Sequence, residues 1–126
     1  MKNLQSDEVA LTRGVVLTKA MMRAADRLGL SGKQLSDVIG LSAAQISRMK
    51  NGDAVLSEAS KSFELSALLV RVFLSLDAIV GGDDSATKLW MTSQNTALNG
   101  RPIDRMISVK GLADVVTYLD ARRAPI

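Results

Sequence analysis

The stretch LSDVIGLSAAQISRMKNG, residues 35–52, places two short apolar patterns on either side of a glycine. Gly40 can adopt the left-handed backbone of a tight turn, and Ser36 is small enough for two helices to touch there. We expect a helix-turn-helix, with one helix opened by Ser31 and ending at Ile39 and a second capped by Ser42. Its interior positions would be Leu35, Ile39, Leu41, Ile46 and Met49.

The second helix of this motif would present small and polar side chains outward. In a major groove, Gln45 can bond an adenine edge through both amide groups, and Arg48 can reach guanine or a phosphate. Ser42 and the amides at the helix start can hold a phosphate, and Lys33 adds a cation. The alternative is a helical hairpin with a solvated polar face. The predicted DNA-binding residues are Lys33, Ser42, Ala43, Ala44, Gln45, Ser47, Arg48 and Lys50.

The composition limits the fold and the chemistry. The chain has 126 residues, of which 47% are apolar and only 3% aromatic, so aliphatic side chains must fill the core and an all-α fold is favoured. Cysteine and histidine are absent from the sequence, which excludes disulfides, thiolate metal sites and an imidazole base. Asp83 and Asp84 suit helix capping better than a metal site. We therefore predict no enzyme, no metal site and no cofactor.

The distribution of charge suggests two different partners. Residues 1–52 carry eight Lys/Arg and four Asp/Glu, a net +4, whereas residues 53–126 carry eight and nine, a net −1. A basic first part suits an anionic partner. The sequence has no targeting segment that we recognise and no run near the ~18 apolar residues of a membrane span. We expect a soluble, cytoplasmic protein with no membrane partner.

Helical periodicity recurs on both sides of the motif. Spacings of three and four residues place Val16, Ala20, Met21, Ala24 and Leu28 on one face of a helix. The first predicted helix runs from Ser6 or Asp7 to an interruption at Gly14, and the next from Val15 to Leu28. After the helix-turn-helix, a helix runs from a cap at Ser57 to Val80, and another from the GGDD hinge at 81–84 through Trp90. A short helix over residues 102–107 and a final helix from Val109 to Arg122 complete the chain.

The helix predicted between Ser57 and Val80 is apolar on more than one side. Such a helix is either buried widely or shared with another chain. A single helix-turn-helix buries little surface and binds DNA weakly, so two copies at adjacent half-sites are expected. We predict a homodimer whose interface includes Leu69, Val72, Phe73 and Leu76.

Two blocks of the sequence carry motifs that occur together in one bacterial family. Residues 17–52 read LTKAMMRAADRLGLSGKQLSDVIGLSAAQISRMKNG, and residues 89–126 contain a tryptophan, an NTALNGRP loop, Gly111 and VVTYLDA. The first block is similar to the Xre-type helix-turn-helix, and the second resembles the toxin-binding domain of the Xre/MbcA/ParS antitoxins that accompany RES-domain toxins. Asn99 stands where many members have a second glycine.

The resemblance implies a small antitoxin that neutralises a cognate RES-domain toxin and represses its own operon. Toxins of this kind consume NAD, and the antitoxin's C-terminal region obstructs their NAD-binding cleft. The partners implied are the toxin, operator DNA and a second copy of the chain. The predicted toxin-binding residues are Trp90, Asn95, Asn99, Arg101, Tyr118, Arg122, Arg123 and Ile126.

The residues after the last apolar stripe are the predicted plug for the toxin. Arg122 and Arg123 can pair with acidic groups or occupy the place of phosphate counterions, while the alternative is that they only offset the helix dipole. We predict a DNA-binding region at 1–56, a linking or dimerisation helix at 57–83 and a toxin-binding domain at 84–126. A stand-alone dimeric helix-turn-helix regulator, with a ligand-binding or dimerisation second half, is the alternative function.

Overall fold

A computed structural model describes residues 4–123 of the chain. Within that range the chain forms seven helices and no strand, and one isolated antiparallel bridge joins Asn95 and Gly100. The predicted all-α fold is confirmed. The helices are α1 (Leu4–Leu28), α2 (Gly32–Ile39), α3 (Ala43–Lys50), α4 (Lys61–Val80), α5 (Asp84–Thr92), α6 (Pro102–Arg105) and α7 (Val109–Arg123).

Helix α4 is the centre of the core. Helices α1, α2, α5 and α7 all contact it, while α3 packs on α2 and α6 packs between α5 and α7. Met21 of α1 and Leu112 of α7 are fully buried against this centre. Each such side chain contributes about 1.5–3 kcal/mol through burial. None of the helices in residues 4–123 has both the length and the apolar character needed to cross a membrane.

The apolar excess of α4 is covered by helices of its own chain. Leu69, Val72 and Leu76 are 0% exposed. Phe73 is half-buried, and the Arg27 guanidinium carbon lies 5.4 Å from the centre of its ring. We had expected these four residues to lie at the surface, in a dimer interface. The structure corrects this expectation, because the four side chains pack in the core of a single chain. Dimerisation itself stays a prediction, and it requires another face.

Helix α1 continues through Gly14, where the sequence predicted an interruption. A Cβ atom at Gly14 would lie 2.3 Å from the carbonyl oxygen of Leu56. The Thr18 hydroxyl donates to the Gly14 carbonyl at 2.6 Å and accepts from the Leu56 N–H at 2.9 Å. The predicted interruption is wrong because this glycine serves the close approach of the segment after α3, rather than a turn.

Helix α4 begins one turn later than predicted. Its N-cap is Ser60, whose hydroxyl accepts from the Phe63 N–H at 3.1 Å. Ser57, the predicted cap, instead accepts from the backbone N–H and the hydroxyl of Ser60 through its carbonyl, at 2.9 and 2.7 Å. Two serines three residues apart are both competent caps, so local sequence did not distinguish them.

The GGDD segment forms the predicted hinge between α4 and α5. Gly81 and Gly82 have φ values of 64° and 78°. Asp83 caps α5 by accepting from the Ala86 N–H at 3.0 Å, and Asp84 accepts from Arg27 Nε at 2.8 Å. Both carboxylates thus serve the fold. The described part of the chain contains no group of three or more His, Cys, Asp or Glu side chains that could hold a metal ion.

Candidate nucleic-acid and protein interfaces

Helices α2 and α3 both begin with a capping box, in which a serine and a glutamine three residues later bond each other's backbone N–H groups. The Ser31 hydroxyl accepts from the Gln34 N–H at 3.1 Å, while the Gln34 side-chain oxygen accepts from the Ser31 N–H at 2.8 Å. Ser42 and Gln45 repeat this capping box at 3.1 and 2.9 Å. A serine cap contributes about 1 kcal/mol. The two boxes set the first residue of each helix and hence the angle at which α3 leaves the turn.

The turn between these helices matches the sequence prediction. Gly40 adopts the left-handed conformation, with φ 69° and ψ 31°, and its N–H donates to the Ser36 carbonyl at 2.9 Å. The Ser36 hydroxyl donates across the turn to the Leu41 carbonyl, which joins the two helices. The predicted helix-turn-helix is confirmed by this geometry. Of its expected interior residues, Leu35, Ile39 and Ile46 are buried, and Leu41 and Met49 are partly buried.

The surface of α3 is open to solvent. All eight residues predicted to bind DNA are exposed: Lys33, Ser42, Ala43, Ala44, Gln45, Ser47, Arg48 and Lys50. Lys33 pairs weakly with Asp37, with an Nζ–Oδ2 distance of 3.5 Å between two exposed side chains. Arg48 makes one long contact, 3.5 Å, to the Asp53 carbonyl, and Lys50 forms no ion pair with any residue in 4–123. These cations therefore remain free to meet an anionic partner.

Gln45 is used differently from the sequence prediction. Its side-chain oxygen accepts from both the N–H and the hydroxyl of Ser42, at 2.9 and 3.1 Å. A bidentate bond to adenine needs this oxygen together with the amide nitrogen. In this conformation only the amide nitrogen is available. The serine and glutamine spacing of the capping box was visible in the sequence, but there it was interpreted only as a base contact.

Three of the predicted toxin-binding side chains form one stack. The rings of Trp90 on α5 and Tyr118 on α7 are 6.1 Å apart between centroids and inclined by 29°. The Arg122 guanidinium carbon lies 3.6 Å from the Tyr118 ring centre. Aromatic pairs contribute about 0.5–1.5 kcal/mol and exposed cation–π contacts about 0.5–1 kcal/mol. This stack of Trp90, Tyr118 and Arg122 connects the end of α7 to α5.

The end of α7 is also tied to α4 by a polar cluster of Arg71, Ser75, Asp120 and Arg123. Arg123 Nη1 donates to Ser75 Oγ at 3.2 Å, and Ser75 Oγ donates to Asp120 Oδ1 at 3.3 Å. Arg71 pairs with the same carboxylate. The sequence analysis did not select Arg71, Ser75 or Asp120. A serine within the apolar helix α4 could have indicated a buried polar contact at Ser75. Arg122 and Arg123 are thus both held by neighbours, and Ile126 lies outside the described residues.

The loop between α5 and α6 closes on itself. Asn95 and Gly100 exchange backbone hydrogen bonds of 3.0 and 3.2 Å, and Asn95 Oδ1 accepts from the Leu98 N–H at 3.1 Å. Asn99 has a φ of 58°, the left-handed conformation that glycine and asparagine adopt most readily. That conformation explains why asparagine can occupy this position, where the resemblance led us to expect glycine. Asn95 is therefore a structural residue of the loop.

Arg101 is paired within the same segment. Its Nε and Nη2 donate to the two carboxylate oxygens of Asp104 at 2.8 and 3.1 Å. These hydrogen bonds lower the pKa of the Asp104 carboxyl, and together with the charge of Asp104 they raise the pKa of Arg101. Both side chains are exposed. A bidentate pair in solvent orients the guanidinium with little effect on stability.

A cavity of about 530 Å³ separates this loop from α7. It brings Asn99 and Tyr118 to one place and adds three charged side chains that sequence reasoning did not select, Arg105, Lys110 and Asp114. Asp114 pairs with both cations, at 3.4 Å from Arg105 and 3.0 Å from Lys110. Asn95 and Arg101 do not line the cavity. The predicted toxin-binding residues within 4–123 therefore divide between the stack, the polar cluster, the cavity and the loop.

Comparison with protein families finds a match for the region of the helix-turn-helix and another for the region that contains α5 to α7. Residues 7–72 match the antitoxin Xre-like helix-turn-helix domain, and residues 75–124 match the antitoxin Xre/MbcA/ParS C-terminal toxin-binding domain. No curated protein is significantly similar to the chain. The two matched ranges meet within α4, the helix that both parts of the core share. The chain therefore belongs to the Xre/MbcA/ParS antitoxins, in which a helix-turn-helix precedes a toxin-binding domain.

Proposed function

We propose that this antitoxin neutralises a RES-domain toxin that consumes NAD, and that it represses its own operon from the cytoplasm. Inhibition is steric: the end of α7 and the residues that follow it obstruct the toxin's NAD-binding cleft. The observation that carries the proposal is the match of residues 75–124 to the toxin-binding domain. Within this range, the stack and the polar cluster hold the end of α7. No specific observation favours a stand-alone regulator.

The arrangement at the end of α7 suits insertion into a cleft. Arg122 and Arg123 are already ordered by Tyr118 and Ser75, so less side-chain entropy is lost when a partner binds. Their guanidinium groups can pair with acidic groups in a cleft that binds a dinucleotide, or exclude the cations that would accompany its phosphates. Ile126, the remaining predicted contact, lies outside the described residues.

The surface of α3 suits the other partner, operator DNA. Lys33 and Lys50 are placed for phosphates, and Arg48 for guanine or a phosphate. Gln45 would offer its amide nitrogen alone, because its oxygen closes the capping box. Ala43 and Ala44, at the start of α3, permit close approach to thymine methyl groups. Two copies of the chain would place two α3 helices at adjacent half-sites.

The experiment that tests inhibition removes the proposed plug. A chain lacking residues 122–126 is co-expressed with the product of the neighbouring reading frame, and growth and NAD consumption are measured. We expect loss of protection, while the helical circular dichroism of the purified chain stays unchanged. The matched control is Arg48→Ala, which alters the α3 surface and should protect as well as wild type. Full protection by the truncated chain would contradict the proposal.

A further inference from the structure

The cavity between the α5–α6 loop and α7 carries an unbalanced charge. We call it the loop–α7 cavity, and its polar lining is Asn99, Arg105, Lys110, Asp114, Thr117 and Tyr118. Arg105 and Lys110 both pair with the one carboxylate in the lining, that of Asp114, at 3.4 and 3.0 Å. Two cations against one anion leave a net charge of +1. The charge therefore favours a negatively charged group from outside the chain.

The hydrogen-bond donors of these two cations are only partly used within the chain. Arg105 makes a single ion pair with a residue in 4–123, through Nη2, although a guanidinium offers several N–H donors. Arg105 Nε is buried and has no acceptor in the part of the chain that the structure describes. Among the same residues, Lys110 donates to Asp114 alone. Both cations can therefore donate to a further carboxylate.

The pairs with Asp114 are weak enough to be exchanged. The side chains of Lys110 and Asp114 are 82% and 41% exposed, and ion pairs exposed to this degree contribute little to stability because water competes for both groups. The Arg105–Asp114 distance of 3.4 Å is long for a charge-assisted hydrogen bond. A partner's carboxylate can thus take over either cation at small cost.

The loop–α7 cavity is continuous with the proposed plug. Lys110, Asp114, Tyr118 and Arg122 follow one another along α7 at intervals of four residues, so each lies beside the next on the helix surface. Tyr118 lines the cavity, and Arg122 lies on its ring. All four residues lie within the match to the toxin-binding domain. A toxin whose cleft receives the end of α7 would therefore also cover the cavity.

The chain just before Lys110 exposes two large apolar side chains. Ile107 and Val109 are 50% and 67% exposed. A charged contact at an interface is strengthened when apolar neighbours exclude water from it. Two exposed apolar residues directly before a charged cavity therefore fit a protein partner better than a small anion.

We propose that the loop–α7 cavity binds an acidic side chain on the surface of the toxin, and that this contact anchors the complex. The toxin's carboxylate pairs with Lys110 and Arg105, which then share two carboxylates instead of one. Ile107 and Val109 pack on the toxin around this contact. The inference rests on the proposed function and deepens it, because the cavity supplies affinity whereas the end of α7 supplies inhibition. Pairing with one toxin rather than another then depends on an acid at the matching position.

The first test uses two variants that break the same ion pair within the chain. Lys110→Glu, Asp114→Asn and the matched control Lys88→Glu, at an exposed lysine of α5 outside the cavity, are titrated calorimetrically with the purified product of the neighbouring reading frame. We expect Lys110→Glu to raise the dissociation constant about tenfold or more, because it places a like charge opposite the toxin's carboxylate. Asp114→Asn should lower the dissociation constant several-fold, because a competing carboxylate is removed. Lys88→Glu should leave it unchanged.

The opposite directions of the two effects are decisive, since a purely structural role of the Lys110–Asp114 pair would make both variants weaken binding. Unchanged helical circular dichroism shows that each variant keeps the fold. The proposal is overturned if both variants weaken binding, if Lys110→Glu has no effect, or if Lys88→Glu weakens binding equally. Saturable binding of inorganic phosphate to the free chain, abolished by Lys110→Glu while toxin binding is unchanged, would also overturn it and assign the cavity to a small anion.

A second test separates this inference from the proposed function. The chain lacking residues 122–126 should still bind the toxin through Lys110, although it no longer prevents NAD consumption. Lys110→Glu should inhibit fully once its concentration exceeds the raised dissociation constant. If the truncated chain binds no toxin, this inference fails while steric inhibition stands. If the truncated chain still inhibits but its binding requires Lys110, the proposed function fails while the anchor stands.

Discussion

The surface of α3 and the end of α7 hold their candidate side chains in opposite ways. On α3 the order comes from the backbone, because Ser42 and Gln45 close the capping box that starts the helix. The side chains that project from it, Arg48 and Lys50, have at most one long contact with the rest of the described chain. The scaffold is ordered and its cations are free to move.

At the end of α7 the side chains themselves are ordered. Arg122 lies on the ring of Tyr118, and Arg123 donates to Ser75 on α4. The difference corresponds to the two proposed partners. A DNA duplex presents a regular row of phosphates, which mobile cations can contact. A cleft in a protein is bound more tightly by side chains that are already fixed in shape, because less conformational entropy is lost on binding. The comparison predicts that the two surfaces respond separately to substitution.

The largest effect is expected in the scaffold that both surfaces share. Gly14→Ala would place a Cβ atom 2.3 Å from the Leu56 carbonyl, so either α1 or the segment after α3 must shift. We expect the free energy of unfolding to fall by about 2–3 kcal/mol in urea denaturation. The control is Gly32→Ala at the start of α2, where a Cβ atom meets nothing within 4 Å. That change should leave stability equal or raise it by up to about 1 kcal/mol. Equal stability of both variants would show that the close approach is absent in solution.

The next effect separates the DNA surface from the toxin surface. Arg48→Ala should weaken operator binding about tenfold and reduce its salt dependence, because one mobile cation is lost. Inhibition of the toxin should be unchanged. The control is Lys61→Ala, an exposed cation at the start of α4 that is absent from the predicted DNA site. Titrations of operator DNA at several salt concentrations give both quantities. If Arg48→Ala weakened inhibition equally, the proposed separation of the two surfaces would be wrong.

A smaller effect is expected when the stack at the end of α7 is removed. Tyr118→Ala leaves Arg122 without its ring and Trp90 without its aromatic neighbour, a loss of about 1 kcal/mol. Toxin inhibition should weaken about fivefold while operator binding is retained. Tyr118→Phe keeps the ring and should inhibit as wild type does. Inhibition constants from an NAD-consumption assay measure this. Equal loss in both variants would assign the role to the phenol hydroxyl rather than to stacking.

The smallest effect concerns pH. Hydrogen bonds from Arg101 lower the pKa of Asp104 in the folded chain, so the stabilisation is complete above the ordinary aspartate pKa of about 3.9 and is lost as the pH falls through the lower folded value. Because both side chains are exposed, the change in stability is small and is reduced by salt. A carboxyl titration by NMR should show a higher pKa for Asp104 in Arg101→Gln. Identical titration curves would contradict the pairing.

Several local features were predictable because they depend on residues close together in the sequence. Gly40 adopts the left-handed turn, Ser42 caps α3, and the glycines of the hinge at 81–84 end α4. The errors arose where two local signals competed or where a distant segment intervened. Ser57 and Ser60 were equally suitable caps, and Gly14 looked like a helix breaker until Leu56 was placed against it.

By itself, the amino-acid sequence determined most of the helices and the turn at Gly40, because caps, glycine conformations and periodicity act between near neighbours. The family was identified from the resemblance of two blocks of sequence and not from these local patterns. Only the tertiary structure decided which apolar faces are covered. It buried Leu69 within its own chain and left Val16 in solvent. It also decided which arginines are held. Arg123 donates to Ser75, which lies 48 residues away in the sequence, and Arg122 lies on the ring of Tyr118, one turn before it. Burial and long-range pairing depend on how whole helices pack, and no local pattern specifies that.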